Sequence, residues 1–135
     1  MTTALKDLKG VTRAMIPALK EKGIGDNEQF AAAAATPTQR KELAELCECS
    51  TKDILEIANR ADLARIKGVS GVYSDLLENA GIDTVKELAA RRPDNLLEKL
   101  KTTNIAMKLT RQPPRAAQLE AWVAQAKELP RILTY

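Results

Sequence analysis

Two short segments carry residue types suited to one kind of chemistry, the capture of an anion at the start of a helix. The first is Leu8-Lys9-Gly10-Val11-Thr12-Arg13. The second, 58 residues further along, is Ile66-Lys67-Gly68-Val69-Ser70-Gly71. In each, a lysine precedes a glycine, an apolar residue follows, and a hydroxyl side chain comes next. The glycine lets the chain reverse sharply. The residues after it open a helix whose first backbone N–H groups lack intrahelical partners and lie at the positive end of the helix dipole. Such groups hold a phosphate well. Lys9 and Lys67 stand beside the turns, Arg13 adds a cation in the first, and Gly71 permits close approach in the second. The hydroxyls pull the other way. Thr12 and Ser70 are good N-caps, and a cap satisfies the N–H groups a phosphate would use. The candidate contact set is Lys9, Gly10, Thr12, Arg13, Lys67, Gly68, Ser70 and Gly71.

Other chemistry is poorly provided for. The chain has no histidine, which removes Ser-His-Asp and Cys-His catalysis and every imidazole ligand. Cys47-Glu48-Cys49 holds the only two cysteines. Two thiols without a third or a histidine do not complete a tetrahedral zinc site, and their spacing suits an intramolecular disulfide poorly. The expectation is one thiol on a helical face and one near that helix's end. Carboxylates are plentiful but fall in no calcium loop, and there is no phosphate loop and no nucleophile elbow. No catalytic residue, metal, cofactor or small-molecule substrate is expected. Trp122 and Tyr73 are possible stacking platforms for a base, but both fall on apolar helical stripes, which favours core packing. Lys108, Arg111 and Arg115 around Pro113-Pro114, and Arg91-Arg92 before Pro93, read equally well as solvated surface.

The elements that must position these residues are helices. Apolar residues make up 44% of the chain and aromatics 3%, and the apolar share is mostly alanine and leucine, which favours packed helices over sheet. Met15, Ala18 and Leu19 share a face that ends at Gly23. Asn27 is placed to cap a helix carrying Phe30 and running into Ala31–Ala35. Thr36-Pro37 opens a helix with Leu43, Leu46 and Cys47. Ser50 and Asp53 frame the next, with Ile54, Ile57, Ala58 and Ala61. Tyr73, Leu76, Leu77 and Ala80 precede Gly81. Thr84 and Glu87 form a capping box for a helix ending near Ala90. Pro93-Asp94 opens a helix with Leu96, Leu97 and Leu100, residues 104–114 read as a connector, and a last helix carries Leu119, Trp122, Val123 and Ala126 until Pro130. Residues 132–135 read as an extended tail. No strand pairing is expected.

The pattern restarts midway, which points to an internal duplication. At the same offset Met15 meets Tyr73, Leu19 meets Leu77, Gly23-Ile24 meets Gly81-Ile82, and Phe30 meets Leu88. Each copy resembles the helix-hairpin-helix motif, whose usual pattern is apolar-x-Gly-apolar-Gly before a helix. Here the second glycine is replaced by Thr12 and by Ser70. The expected architecture is therefore all-α, a tandem, pseudo-duplicated helix-hairpin-helix. Repeat one covers residues 1–62 and repeat two residues 63–135, packed as one compact unit.

From Leu63 onward the chain also resembles a bacterial domain-of-unknown-function family with helix-hairpin-helix character. The resemblance rests on Leu63–Val69, Leu76–Leu88, Asn95-Leu96, Leu109–Pro113 and Trp122–Lys127. It implies a small all-α fold related to the helix-hairpin-helix and SAM-like group, and it implies no reaction.

Charge is balanced, with 21 basic and 18 acidic side chains. That permits nucleic-acid binding without demanding it. The start Met1-Thr2-Thr3-Ala4-Leu5-Lys6 has no apolar leader, and no apolar run reaches membrane length, so a reduced cytoplasmic protein without a membrane partner is expected. The expected function is a non-enzymatic binding module that contacts a DNA or RNA backbone without sequence readout. The alternative is an adaptor or scaffold that binds another protein or a second copy of itself.

Overall fold

The computed structural model describes residues 2–135, so the first residue of the expected 1–62 repeat lies outside it. The chain divides into two compact units, Met1–Arg65 with Ile132–Tyr135, and Ile66–Arg131. Both are helical, and the described residues contain no strand beyond an isolated antiparallel bridge between Ala4 and Asp26. No helix among them is long and apolar enough to cross a membrane.

The first unit contains a 3-10 turn, Leu5–Asp7, and four helices: α1 Met15–Glu21, α2 Asn27–Ala33, α3 Pro37–Cys47 and α4 Thr51–Leu63. Helix α4 is the central element, packed by α2 and α3. Ile54, Ile57, Ala58 and Ala61 recur at helical spacing and are all buried, together with Phe30 and Leu19. The signals that start and stop these helices act as their chemistry dictates. Thr36 and Gln39 form a reciprocal capping box with Pro37 at N1, and Ser50 and Asp53 form another. Helix α1 closes in a Schellman motif: Gly23, at φ +80°, donates its N–H to Lys20 O at 3.0 Å, and Ile24 donates to Leu19 O at 3.0 Å.

The C-terminal tail belongs to this unit. Leu133 is buried, and Thr134 N–H donates to Ala35 O at 2.7 Å. Arg40, itself buried, donates from Nη1 to Ala34 O and Ala35 O at 2.9 and 3.1 Å and from Nη2 to Thr134 O at 2.7 Å. Its guanidinium also lies 5.6 Å from the Tyr135 ring centroid, a cation–π contact.

The second unit holds α5 Gly71–Asn79, α6 Val85–Ala89, α7 Pro93–Met107 and α8 Ala116–Glu128. Helix α8 packs against α6 and α7, and α5 against α7. Leu76, Leu77, Ile82, Leu88, Leu100 and Leu119 are fully buried, with Trp122 almost so. Helix α5 ends like α1, with Gly81 N–H on Glu78 O at 3.0 Å and Ile82 N–H on Leu77 O at 2.9 Å.

Three expectations need correction. Asp26, not Asn27, caps α2: its carboxylate accepts the Gln29 N–H at 2.8 Å. Asn27 is fully buried and bridges the fold, accepting from Thr3 N–H at 2.6 Å and donating to Ala61 O at 3.1 Å. As expected, the helix carrying Phe30 runs into the alanines, and it ends at Ala33. At α6 only half the capping box forms: Thr84 Oγ1 accepts the Glu87 N–H, while Glu87 meets the Thr84 hydroxyl instead of its N–H. Helix α7 continues to Met107, so residues 104–107 are helix and not connector. Asn104 closes it by accepting from the Leu109 and Thr110 N–H groups and donating to Thr110 O.

Candidate nucleic-acid interface

The two lysine–glycine turns are built alike at their centres. Gly10 has φ +96° and Gly68 φ +95°. Leu8 and Ile66 are buried before them, and Val11 and Val69 donate back to Leu8 O and Ile66 O at 3.1 and 3.2 Å. Each glycine also answers a steric demand. A Cβ on Gly10 would lie 2.8 Å from Ile57 Cγ1, and one on Gly68 would lie 3.1 Å from Trp122 Nε1. The backbone of each turn thus rests directly on its own unit's core. Lys9, Gly10, Thr12 and Arg13 in the first turn, and Lys67, Gly68, Ser70 and Gly71 in the second, are all exposed.

Beyond the glycines the turns diverge. Ser70 caps α5: its Oγ accepts the Tyr73 N–H at 3.5 Å, a long contact, and its carbonyl accepts the Ser74 N–H at 2.8 Å. Gly71 and Val72 therefore supply the first two N–H groups of the helix, ahead of its internal bonding. A Cβ on Gly71 would meet nothing within 4 Å, so this helix start is open to an approaching group. Thr12 does not act in the same way. Helix α1 starts only at Met15, with Ala14 at its N-cap and no side-chain cap, and Thr12 O accepts the Met15 N–H in a preceding turn. Pro17 explains the delay. Had Thr12 been the cap, Pro17 would be the fifth helical residue, without the N–H that position needs and with its ring against the Arg13 carbonyl. Starting at Met15 places Pro17 in the first turn, where no N–H is required. The corresponding residue in the second unit is Asp75, which imposes no such limit.

The second turn is also braced from α8. Gln125 of α8 grips the backbone of Lys67, accepting its N–H at 2.9 Å and donating to its carbonyl at 3.5 Å. Trp122 lies under Gly68 and meets the Tyr73 ring at 5.4 Å and 56°. Tyr73 in turn donates its hydroxyl to Gln112 O at 3.0 Å. Both aromatics are thus packing residues. Charge follows the same bias. Residues 66–131 hold 11 basic and 8 acidic side chains, against 10 and 10 in the other unit.

The other basic residues singled out from the sequence occupy helix ends and connectors. Lys108 ends α7 at φ 52°. Arg111 and Arg115 are exposed, and Arg92 pairs with Asp94 at 3.1 Å. The Asn95 N–H, helped by Arg92, holds the Asp94 carboxyl below the usual carboxylate range. Arg60, Asp62 and Arg65 are buried at the end of α4, with Arg65 Nη1 on Asp62 Oδ1 at 2.7 Å. The i,i+3 spacing of Asp62 and Arg65 was a readable signal for that pair.

Cys47 and Cys49 are half-buried free thiols. Burial pushes both upward in pKa, reinforced by Cys49 for Cys47 and by Asp53 for Cys49. Because the thiolate is the reactive form, a raised pKa keeps both thiols neutral further into the alkaline range. Alkylation by iodoacetamide, followed by mass spectrometry across pH, will show a rate profile displaced to higher pH than that of an unstructured cysteine peptide. A profile displaced to lower pH would contradict this. No group of three or more His, Cys, Asp or Glu among the described residues is arranged to hold a metal ion.

The class defined so far is an all-helical protein whose two units each carry a glycine turn on the core. The chain belongs to the family described as Domain of unknown function (DUF4332), whose model matches residues 9–129 and so spans both turns. No curated protein and no solved structure matches the chain.

Proposed function

We propose that the chain is a non-enzymatic binding module, made of two related helix-hairpin-helix units of SAM-like character, that contacts a nucleic-acid backbone without reading its sequence. The observation that carries this reading is the second turn. There an exposed lysine, a glycine at φ +95° and the open start of α5 lie within five residues, braced by Gln125 and Trp122. Relatedness of the units is supported by the matched glycine dihedrals, by the paired Val11–Leu8 and Val69–Ile66 bonds, and by the identical closures at Gly23 and Gly81. The non-enzymatic reading draws on the absence of histidine from the sequence. Free thiols favour a reducing compartment, the bacterial cytoplasm.

The mechanism is charge neutralisation by Lys67, Lys9 and Arg13, with helix N–H groups from Gly71 and Val72 meeting a phosphate oxygen beside the Ser70 hydroxyl. In the first unit, where α1 starts late, the side chains of Lys9 and Arg13 carry the contact. Gel shifts of a DNA duplex and of an RNA strand at graded salt test this. Three phosphate contacts predict that log K falls with log salt at a slope of about −2 to −3, and that Lys67→Glu makes the slope shallower by about 1. Absence of binding to both nucleic acids at low salt overturns the reading. The adaptor reading is the second one, favoured by apolar side chains left in solvent: Val72, Met107 and above all Ile105, at 77% exposure.

A further inference from the structure

Away from the turn, the second unit carries a small groove between α6 and the end of α8. Its volume is about 280 Å3, and Val85, Ala89, Ala126 and Leu129 form its apolar lining. Its other lining residues are Lys86, Lys127 and Arg131, all exposed, and no carboxylate lines it. None of the turn residues contributes to it. We propose that this groove docks an acidic peptide segment of a partner protein, which anchors one aliphatic side chain on the apolar floor while flanking carboxylates meet Lys86 and Lys127.

Size, floor and rim each narrow the occupant. The volume lies at the lower edge of ordinary small-molecule sites, roughly 300–1,000 Å3, and has room for an anchoring aliphatic side chain. Two of the four apolar residues are alanines, so the opening exists because their side chains are short. The floor offers no aromatic ring, so a nucleic-acid base has nothing to stack on, and a bare phosphate gains nothing from the apolar surface. The rim is of one sign. A partner with carboxylates on either side of its anchor is steered to it, and a basic partner is turned away. This inference does not depend on the nucleic-acid reading, and the two sites are separately mutable.

Chemical-shift mapping of the full chain with three probes decides the matter: a short synthetic peptide with one central leucine flanked by glutamates, the same peptide with alanine in place of leucine, and a DNA duplex. The expected result is movement of the Ala89 and Ala126 methyl signals with the leucine peptide only. Lys86→Glu combined with Lys127→Glu, both on exposed side chains, weakens that binding about five-fold or more. Ala89→Leu fills the groove and abolishes it while the amide spectrum stays folded. The proposal is overturned if the leucine peptide leaves both methyls unmoved, if the alanine peptide binds as well, if the duplex alone moves them, or if the charge-reversed pair binds undiminished.

Discussion

Arg40→Ala destabilises the chain by about 3–5 kcal/mol. Arg40 is 5% exposed, and its guanidinium supplies three short hydrogen bonds to the carbonyls of Ala34, Ala35 and Thr134. Ala34 is the C-cap of α2 and Ala35 follows it, so the Ala34 carbonyl lies past the last helical turn, where no intrahelical donor reaches it. A cation there also offsets the negative end of that helix. Hydrogen bonds involving a charged group contribute roughly 1.5–3 kcal/mol each, and a buried carbonyl stripped of its donor costs a further 1–3 or so. The tail is the second loss. Thr134 is held to Ala35 by its N–H and its hydroxyl, but Arg40 holds the Thr134 carbonyl and lies beside the Tyr135 ring, so Leu133 loses part of what seats it in the core. Arg40→Lys keeps the charge and loses the planar fork, so its cost falls between that of alanine and none. Urea unfolding followed by circular dichroism measures both. An alanine variant within 1 kcal/mol or so of wild type would show that water replaces the guanidinium freely.

Gly10→Ala comes next, at about 2–5 kcal/mol. Two costs add. At φ +96° an alanine is strained by roughly 1–3 kcal/mol. Its Cβ would also stand 2.8 Å from Ile57 Cγ1, on a side chain with 1% exposure that cannot move aside, and overpacking of this kind costs roughly 1–3 kcal/mol. Gly23→Ala separates the two terms. Its φ is also positive, but a Cβ there meets nothing within 4 Å, so only the strain remains. Gly10→Ala must therefore be the more damaging of the two in the same unfolding assay. Equal effects would mean that the turn does not rest on Ile57 as described.

Much of the fold was legible because its helix ends are written in local chemistry. Thr36-Pro37-Thr38-Gln39 and Ser50-Thr51-Lys52-Asp53 state their caps outright, and Gly23 and Gly81 state their closures. What was not legible was decided at long range or left in solvent. Asp26 and Asn27 are equally good caps on paper, and Asn27 was taken from that role by Thr3 and by Ala61, 34 residues away. The last turn of α7 shows no apolar stripe, because Ile105 and Met107 are exposed, and its end is set by Asn104 folding back on Thr110. Nothing near Arg40 announces a partner 94 residues on. In the candidate site, the paired turns were found by repetition. The delayed start of α1 was readable from Pro17 but masked by the likeness of Thr12 to Ser70.

The central claim is that the Lys67–Gly71 turn meets a nucleic-acid backbone. Amide chemical-shift mapping of the whole chain with an unmodified DNA duplex at low salt tests it most directly. The account predicts that the Lys67, Gly68, Gly71 and Val72 amides move first and furthest, that Lys9 and Arg13 follow, and that added salt reverses every change. Still amides at the second turn, with shifts elsewhere or nowhere, would contradict it.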